Sequence, residues 1–540
     1  MQGFLISFFS MLILVGFIPL FVLFAQFVLI GVHGLKNHYS RCKDYTPRVI
    51  IIIPVWNEED VVGFSIDSLM RLHYPSDSLR VYAVDDVSTD KTPEIIAAKA
   101  LQYPNRVFNI RRHEKIDFGK AAVINHGLKI ILNEAWAEAI MIIDADVILD
   151  TNTLIRMTRH LADPKVTAVT AYIKEGQKPG NLLTHFIAFE YIVSQAATRR
   201  AQNVLGVMAC LAGGAQLHTR ASIEQIGGRI DTSTLAEDTY TTFITQLHNN
   251  KVVFDGNAIA IAEEPGYISD LWKQRFRWAE GNVQITRHFK KIWFRKKTPG
   301  GLGGIFFGLI WFCTLLTPLT MIITSIALNI LYFFNASISW QFFQIFSLLS
   351  FVSYLFTTLY SFCIDPDTSK RAWFAGFMFP GLLSLLNMLT AVFPYRSGLL
   401  IHQYLPPNWA DFYDQYFLIW ANSWIALCMF FAWVVYRLDR AGVSQKITNV
   451  LLLLVGYGPL LCVITFAAYI AQFFNREMKW NKTVKTGKVK QKRKIHSTPY
   501  NFNKILAADK KAERHLFFYE VFILALLIVF STFHLQYGLA

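Results

Sequence analysis

Hydrophobic positions follow three patterns along this chain. Residues 4–32 are apolar throughout and carry no charge. About 20 such residues cross a bilayer. A cleaved signal would have a basic start and a shorter apolar run, so this pattern predicts a retained first helix. From 35 to 300 the apolar residues come in short β-branched blocks, at 49–54, 81–85 and 140–144, each ending in polar residues and separated by helical stretches. Unbroken blocks, rather than alternation, predict a parallel sheet covered on both faces. Ligands of such sheets bind beyond the strand C-termini, where Asp85, Asp86, Asp144 and Asp146 fall. Residues 180–200 and 265–297 mix apolar, basic and aromatic side chains. That mixture predicts amphipathic helices on a membrane surface, with core helices of the soluble domain as the other reading. Beyond 305, long apolar segments recur near 305–334, 341–362, 372–395, 416–436, 447–473 and 517–537, and Gly456, Gly458 and Pro459 interrupt the fifth.

Composition supports a soluble domain inserted between transmembrane helices. The chain of 540 residues is 53% hydrophobic, with 13 Trp and 45 Phe, too apolar for an ordinary soluble protein. Its middle is too charged for a pure membrane bundle. The net charge of +14 is placed next to apolar segments, which points to anchoring against anionic lipid rather than to nucleic acid. The six cysteines are scattered, four of them in apolar runs, and no pair has metal-ligand spacing. The stretch 479–494 carries eight Lys/Arg and no acid, which predicts a cytoplasmic segment. Five crossings between it and a cytoplasmic soluble domain would place the two on opposite sides. One of the five is therefore expected to be re-entrant or interfacial, either 447–473 or 372–395.

The chemistry lies in four motifs, in this order: Asp85-Asp86-Val87-Ser88-Thr89-Asp90, Asp144-Ala145-Asp146, Ala236-Glu237-Asp238 and Gln274-Arg275-Phe276-Arg277-Trp278. Together they resemble the processive family 2 glycosyltransferases: cellulose, chitin, hyaluronan and poly-N-acetylglucosamine synthases. The resemblance covers residues 45–300 and extends to the membrane part only in kind. It implies an α/β domain of the GT-A type, binding a nucleotide sugar and inserted in an all-α transmembrane bundle.

Each motif then carries an implied role. Asp144 and Asp146 offer oxygens to a hard divalent ion, Mg2+ or Mn2+, that bridges the two phosphates of the donor. Asp238, with Glu237 beside it, matches the general base, which works if burial raises a carboxyl pKa toward working pH. These two acids also suit a cap of a helix beginning at Thr239. Gln274, Arg277 and Trp278 match the motif that closes over nucleotide and acceptor, with Arg277 gripping the diphosphate and Trp278 offering a flat face to the acceptor sugar. Asn57, Glu58, Asp85 and Asp86 resemble the uridine-contacting residues, although Val87 stands where the family commonly has Gly. Lys120, in a stretch resembling the family's Gly-Lys-Ala-x-Ala-x-Asn, reaches the diphosphate. Gly213, Gly214 and Arg220 match the segment near the acceptor terminus, where Gly lets backbone approach a sugar. The stretch from Trp480 through Thr483 and Lys485 to Gly487 resembles a short gating segment.

The expected layout is a transmembrane helix in 1–34, a cytoplasmic glycosyltransferase domain in 35–264 and interfacial helices in 265–300. A transmembrane bundle in 301–475, a basic cytoplasmic segment in 476–515 and a last transmembrane helix in 516–540 follow. The expected activity is inverting, processive polymerisation of a UDP-hexose, UDP-N-acetylglucosamine ahead of UDP-glucose, with the product passed across a plasma or inner membrane. A non-processive transferase acting on a lipid carrier is the alternative. Expected partners are the UDP-sugar, the growing polysaccharide, the bilayer and auxiliary export proteins, with no nucleic acid. Trp311, Trp340, Trp373, Trp409, Trp420, Trp424 and Trp433 are candidates for stacking on sugar in a channel or for an interfacial belt. Nothing after 500 reads as the cyclic-dinucleotide sensor of cellulose synthases.

Overall fold

The computed structural model describes residues 2–36, 38–114, 119–177, 180–299, 301–475, 487, 489 and 501–537. Helix α1 (Gln2–Leu35) leads into an eight-stranded sheet. Its strands are β1 (Val49–Val55), β2 (Leu79–Asp85), β3 (Val107–Arg111), β4 (Ala139–Ile143), β5 (Ile148–Leu149), β6 (Val166–Glu175), β7 (Ala215–Thr219) and β8 (Lys251–Ala262). The sheet order is β3-β2-β1-β4-β7-β6-β8-β5. The three β-branched blocks of the sequence are β1, β2 and β4, and residues 49–53 have no exposed surface at all. Burial on both faces explains their lack of alternation.

The expected parallel sheet holds for half of the structure. Strands β3, β2, β1 and β4 are parallel, with Val55 level with Asp85 at their C-terminal ends. The other half is mixed, because β7 runs antiparallel to both β4 and β6, while β6 and β8 are parallel. A buried apolar run does not encode strand direction, so that reversal is not legible in the sequence. The helices of the domain are α2 (Val62–Leu69), α3 (Thr92–Gln102), α4 (Lys120–Asn133), α5 (Thr153–Thr158), α6 (Leu182–Tyr191), α7 (Thr198–Leu205), α8 (Arg220–Gln225), α9 (Glu237–Leu247) and α10 (Ile268–His288). A π-helical turn, Ile192–Ala197, joins α6 to α7. Leu183, Phe186, Ile187 and Tyr191 of α6 belong to the main core cluster, so this segment is a core helix of the domain on that side.

The remaining helices are α11 (Ile305–Phe334), α12 (Ala336–Ile364), α13 (Pro366–Phe377), α14 (Leu382–Val392), α15 (Pro394–Tyr404), α16 (Pro407–Arg440), α17 (Gln445–Val455), α18 (Tyr457–Phe473) and α19 (Phe502–Tyr537). Among the described residues four helices, α1, α11, α12 and α16, are each long and apolar enough to cross a membrane. The two segments singled out for the parity conflict are both broken: α13–α14 bends by 72° and α17–α18 by 92°. The breaks lie against each other. Gly458 N–H donates to Phe379 O at 2.9 Å, and a Cβ on Gly456 (φ +107°) would sit 2.4 Å from the Pro380 carbonyl carbon. Only glycine permits that backbone approach.

The two broken pairs differ in where they go. The chain just before and at the start of α13 is tied to the domain by Lys174–Asp365 at 2.8 Å and Arg371–Glu175 at 2.6 Å. Ala391, at the far end of α14, lies beside Phe343 near the start of α12, at the opposite end of that helix from Ile364. The α17–α18 pair touches the domain at its start (Gln445 Nε2 to Gly266 O, 2.6 Å), at its break (Tyr457 OH to Glu190 Oε2, 2.5 Å) and at its end (Gln472 Nε2 to Glu280 Oε1, 3.1 Å).

Helix α19 starts at Phe502, well before the apolar segment expected near 517, and is continuous through it. Its first half is bolted to the domain by buried ion pairs: Arg156 and Arg159 to Asp509, and Arg200 to Glu513. Its second half packs on α1 and α12 through Phe27, Phe356, Ile523 and Leu527.

Candidate active site

Three strand ends build the floor of the site. After β4 come Asp144 and Asp146, half-buried and on the wall of one large cavity. Lys120, the first residue of α4, reaches across with Nζ 2.5 Å from Asp144 Oδ1 and donates to Gly213 O at 2.9 Å. Gly213 N–H in turn donates to Asp238 Oδ2 at 3.0 Å. A Cβ on Gly213 would stand 3.0 Å from that carboxylate oxygen and 3.2 Å from Lys120 Nζ, so any larger residue would press on both side chains. This chain of contacts joins the two carboxylate motifs, nearly a hundred residues apart in sequence, through a lysine and one peptide unit.

Asp238 and Glu237 lie in the first turn of α9, which starts at Glu237 rather than at Thr239, and neither forms a side-chain cap. The capping expectation is therefore corrected: both carboxyls face the cavity. Burial raises the Glu237 carboxyl, and adjacent Asp238 raises it further, to about 7 against the pull of Lys120. Burial lowers Lys120, but Asp144 and Glu237 outweigh it and hold the ammonium above its usual range. Arg277 is pulled down by burial despite Glu237, Asp144 and Asp238.

The Gln274–Trp278 segment is the middle of α10 and is locked from two sides. Gln274 Nε2 donates to Glu264 Oε2 at 3.1 Å, and Tyr191 OH donates to Glu264 Oε1 at 2.6 Å. Arg275 forks onto Glu190 at 2.9 and 3.1 Å and lies 4.0 Å from the centre of the Trp278 ring. Tyr457, at the break between α17 and α18, donates to the same Glu190 carboxylate. Sequence reasoning gave Arg275 and Glu190 no role. Their only signal was the charged positions within otherwise apolar amphipathic stretches.

The structure brings together Glu58, Asp86, Lys120, Asp144, Asp146, Gly213, Gly214, Glu237, Asp238, Gln274, Arg277 and Trp278 on one cavity. It leaves out three others. Asp85 has no exposed surface and accepts from Ser88 N–H, so it shapes the turn after β2 and does not face the cavity. Asn57 (φ +53°) is off the wall and accepts from Thr89 N–H at 2.8 Å. Arg220 sits at the end of α4, donating to Glu134 O and Leu132 O, far from the acceptor role its motif suggested. Val87 has φ +56°, a strained conformation for a β-branched residue. That geometry is the one the Gly of the resembled family adopts without cost. The segment Trp480–Thr486 lies outside the described residues, while Gly487 packs near Asp60.

The cavity has a volume of about 1230 Å3 and does not stop at the domain. It continues between α1, α11, α12, α14, α16 and α18, where Thr314, Ser347, Ser350, Tyr354, Asn387 and Thr465 line it. Trp311 and Trp424 are on its wall; Trp373, Trp409 and Trp420 are exposed on the outside. Among the described residues no three His, Cys, Asp or Glu side chains are grouped to hold a metal by themselves. Asp144 and Asp146 offer two carboxylates, the donor type that a hard divalent ion takes.

Residues 47–281 match the model of the glycosyltransferase like family 2. The chain is 29% identical over 238 residues to the beta-monoglucosyldiacylglycerol synthase of Synechocystis sp., which covers 44% of this chain and 48% of that protein. It is 25% identical over 251 residues to the poly-beta-1,6-N-acetyl-D-glucosamine synthase of Staphylococcus epidermidis, 46% of this chain and 58% of the relative. The chain thus spans between about half and three-fifths of these curated relatives. Among solved structures, the mannosyltransferase PcManGT from Pyrobaculum calidifontis, in complex with GDP-Man and Mn2+, is 23% identical with a TM-score of 0.48, covering 60% of this chain and 86% of that one.

Proposed function

We propose that this chain, whose residues 47–281 are a glycosyltransferase family 2 domain, is an inverting hexosyltransferase that polymerises a UDP-sugar and passes the product through its own helix bundle. The observation that carries this reading is the continuity of one cavity from the carboxylate cluster at Asp144 and Asp238 into the helices, where Ser, Thr, Asn and Tyr side chains that suit sugar hydroxyls are set among apolar and aromatic ones. An apolar bundle that had only to anchor the domain would have no reason to keep such a lining.

In this mechanism Asp238 takes the proton of the acceptor hydroxyl as that oxygen attacks the anomeric carbon from the face opposite the leaving diphosphate. The Gly213 N–H holds the base in place. The bond from the anomeric carbon to the diphosphate oxygen breaks, and Lys120 and Arg277 stabilise the charge left on UDP. Asp144 and Asp146 would hold the divalent ion, Mg2+ or Mn2+, which adds charge neutralisation at the diphosphate when bound. Gln274 and Trp278 are placed to meet nucleotide and acceptor on a helix that Glu190 and Glu264 fix in orientation.

The membrane path follows from the same contacts. The α17–α18 pair returns to the domain at both ends, so it enters and leaves on one side, whereas α14 ends at the far side. Four crossings, by α11, α12, the α13–α14 pair and α16, are what the cytoplasmic expectation for both the domain and the basic 479–494 stretch requires. This choice falls on the Gly/Pro-broken 447–473 segment as the non-crossing one. The donor favoured is UDP-N-acetylglucosamine, with UDP-glucose next, and the apolar helices support a plasma- or inner-membrane location. Auxiliary export proteins belong to the same reading.

A lipid acceptor is the second reading, because a diacylglycerol glucosyltransferase matches the chain as well as a polysaccharide synthase does. The test is UDP release by the purified membrane-embedded chain with Mg2+ or Mn2+, offering each donor separately and sizing the product. A high-molecular-weight product is expected. A single-sugar glycolipid would replace polymerisation by lipid glycosylation, and no UDP release with any donor would overturn both.

A further inference from the structure

Five arginines are buried among the described residues: Arg112, Arg159, Arg199, Arg200 and Arg275. Four have a carboxylate against them: Asp86 for Arg112, Asp255 and Asp509 for Arg159, Glu513 for Arg200, and Glu190 for Arg275. Arg199 differs. It is 8% exposed, and its guanidinium donates only to the Gln195 side chain at 3.0 Å and to Ala171 O at 3.5 Å. A desolvated cation held by two neutral acceptors is an expensive arrangement in a folded protein. Burial accordingly pulls its pKa below the usual range, with Cys210 and Asp238 the nearest opposing groups.

The position of Arg199 says what the charge faces. It lines the large cavity together with Ser194, Gln195, Thr198, Gln202 and Cys210. Cys210 stands between it and Asp238 electrostatically, feeling both charges, and begins the segment that runs to Gly213 and Gly214. Arg199 therefore shares a cavity wall with the candidate base Asp238. The π-helical turn at Ile192–Ala197 is directly upstream. Such turns insert one extra residue into a helix and re-aim the side chains after it, and they recur at functional sites.

We propose that Arg199 is an anion subsite for the acceptor, taking a carboxylate or phosphate carried close to the hydroxyl that Asp238 deprotonates. The proposal rests on the glycosyl-transfer reading of the site. A guanidinium fork matches either group with two parallel hydrogen bonds. An uncharged homopolymer would leave it unpaired. The anion thus comes from an acidic sugar in the product or from a lipid phosphate that carries or primes it.

The test uses the purified full chain in discs of neutral phosphatidylcholine. Three acceptors are compared for binding and for UDP release: a neutral N-acetylglucosamine oligomer, a glucuronate-containing oligomer and a polyisoprenyl monophosphate. The expected result is an apparent affinity about tenfold or more higher for one anionic acceptor than for the neutral one, the scale of a bidentate charged contact. Arg199→Gln should erase that preference and Arg199→Lys should restore part of it, with UDP affinity as the folding control. Preference for the glucuronate oligomer identifies an acidic sugar, and preference for the monophosphate identifies a lipid carrier; either supports the subsite. Equal affinity of the unmodified chain for charged and neutral acceptors overturns it, a result that needs no variant. UDP release without that preference leaves transfer standing and removes the subsite. Arg199-dependent anion binding without UDP release from any donor does the reverse.

Discussion

Arg199 and Arg200 are consecutive residues of α7, both more than nine-tenths buried, and they face two different regions of the molecule. Arg200 points at α19 and grips Glu513 with two bonds of 2.9 Å, in a network that includes Arg159, Asp255, Asp509 and Arg156. Arg199 points at the cavity and has no carboxylate. On one side of the helix every buried charge is answered by the chain; on the other, charge is left for something that is not the chain. Near Asp238 and Glu237 two adjacent carboxylates share the cavity wall with Lys120 and Arg277, so charges of both signs are gathered there. The α19 face is assembled for stability, whereas the cavity face keeps a pattern of charge that only a ligand completes.

The sharpest break of that comparison is at the base. Asp238→Asn should lower turnover by about two to four orders of magnitude, the usual contribution of a general base, while UDP binding stays close to that of the unmodified chain. UDP release and UDP titration together check it, and loss of UDP binding would make Asp238 part of the nucleotide site. On the other face, Glu513→Ala strands Arg200 in a buried site. A loss of about 3 to 5 kcal/mol of stability is expected, read by denaturant or thermal unfolding in detergent. Donor affinity in the fraction that stays folded should be little changed. If Glu513→Ala costs no stability, the idea of α19 as a structural clamp fails.

A smaller effect is expected at the ion. Asp146→Asn should weaken metal-dependent UDP binding by about tenfold, the scale of one charge-assisted contact, and leave metal-free binding alone. Unchanged binding would remove Asp146 from the ion's ligands. The mildest prediction is in pH. Glu237 is held at about 7 by burial and by Asp238, so its carboxyl keeps a proton below that pH and loses it above. The rate should therefore rise several-fold as pH climbs through about 7, and Glu237→Gln should remove that rise. A flat profile in the unmodified chain would show that this proton does not touch the reaction. The raised carboxyl also means that the folded state binds the proton more tightly than the unfolded one. Its contribution to stability therefore falls as pH rises from the ordinary carboxylate range towards 7.

Much of the catalytic half was legible in advance because its signals are local. The runs at 49–54, 81–85 and 140–144 became β1, β2 and β4, since burial on both faces leaves no other residue type to use. The motif residues at strand ends and at the start of α9 converge because strand C-termini and helix N-termini converge in such a sheet. Where reading failed, the cause was long-range. Arg220 follows a suggestive glycine pair, yet β7 runs antiparallel and carries it to the back of α4. Asp85 and Asp86 are neighbours, but the strand's alternation sends one into the core and the other to the cavity. The break in 447–473 was visible as Gly and Pro. That it packs on the break in 372–395 was not, because both glycines are there to meet a distant backbone.

The sequence by itself determined the candidates: which carboxylates, which lysine, which Arg-Trp pair, and apolar segments long enough to cross a membrane. These rest on residue type, spacing and local periodicity, which a chain carries whether or not it is folded. Only the tertiary structure decided that Gly213 joins Lys120 to Asp238, that the site opens into the bundle, and that Arg199 alone among the five buried arginines lacks a carboxylate. Those are matters of which distant segments share a place and which charge goes unanswered there. Pairing, burial and desolvation exist only once the chain has closed on itself.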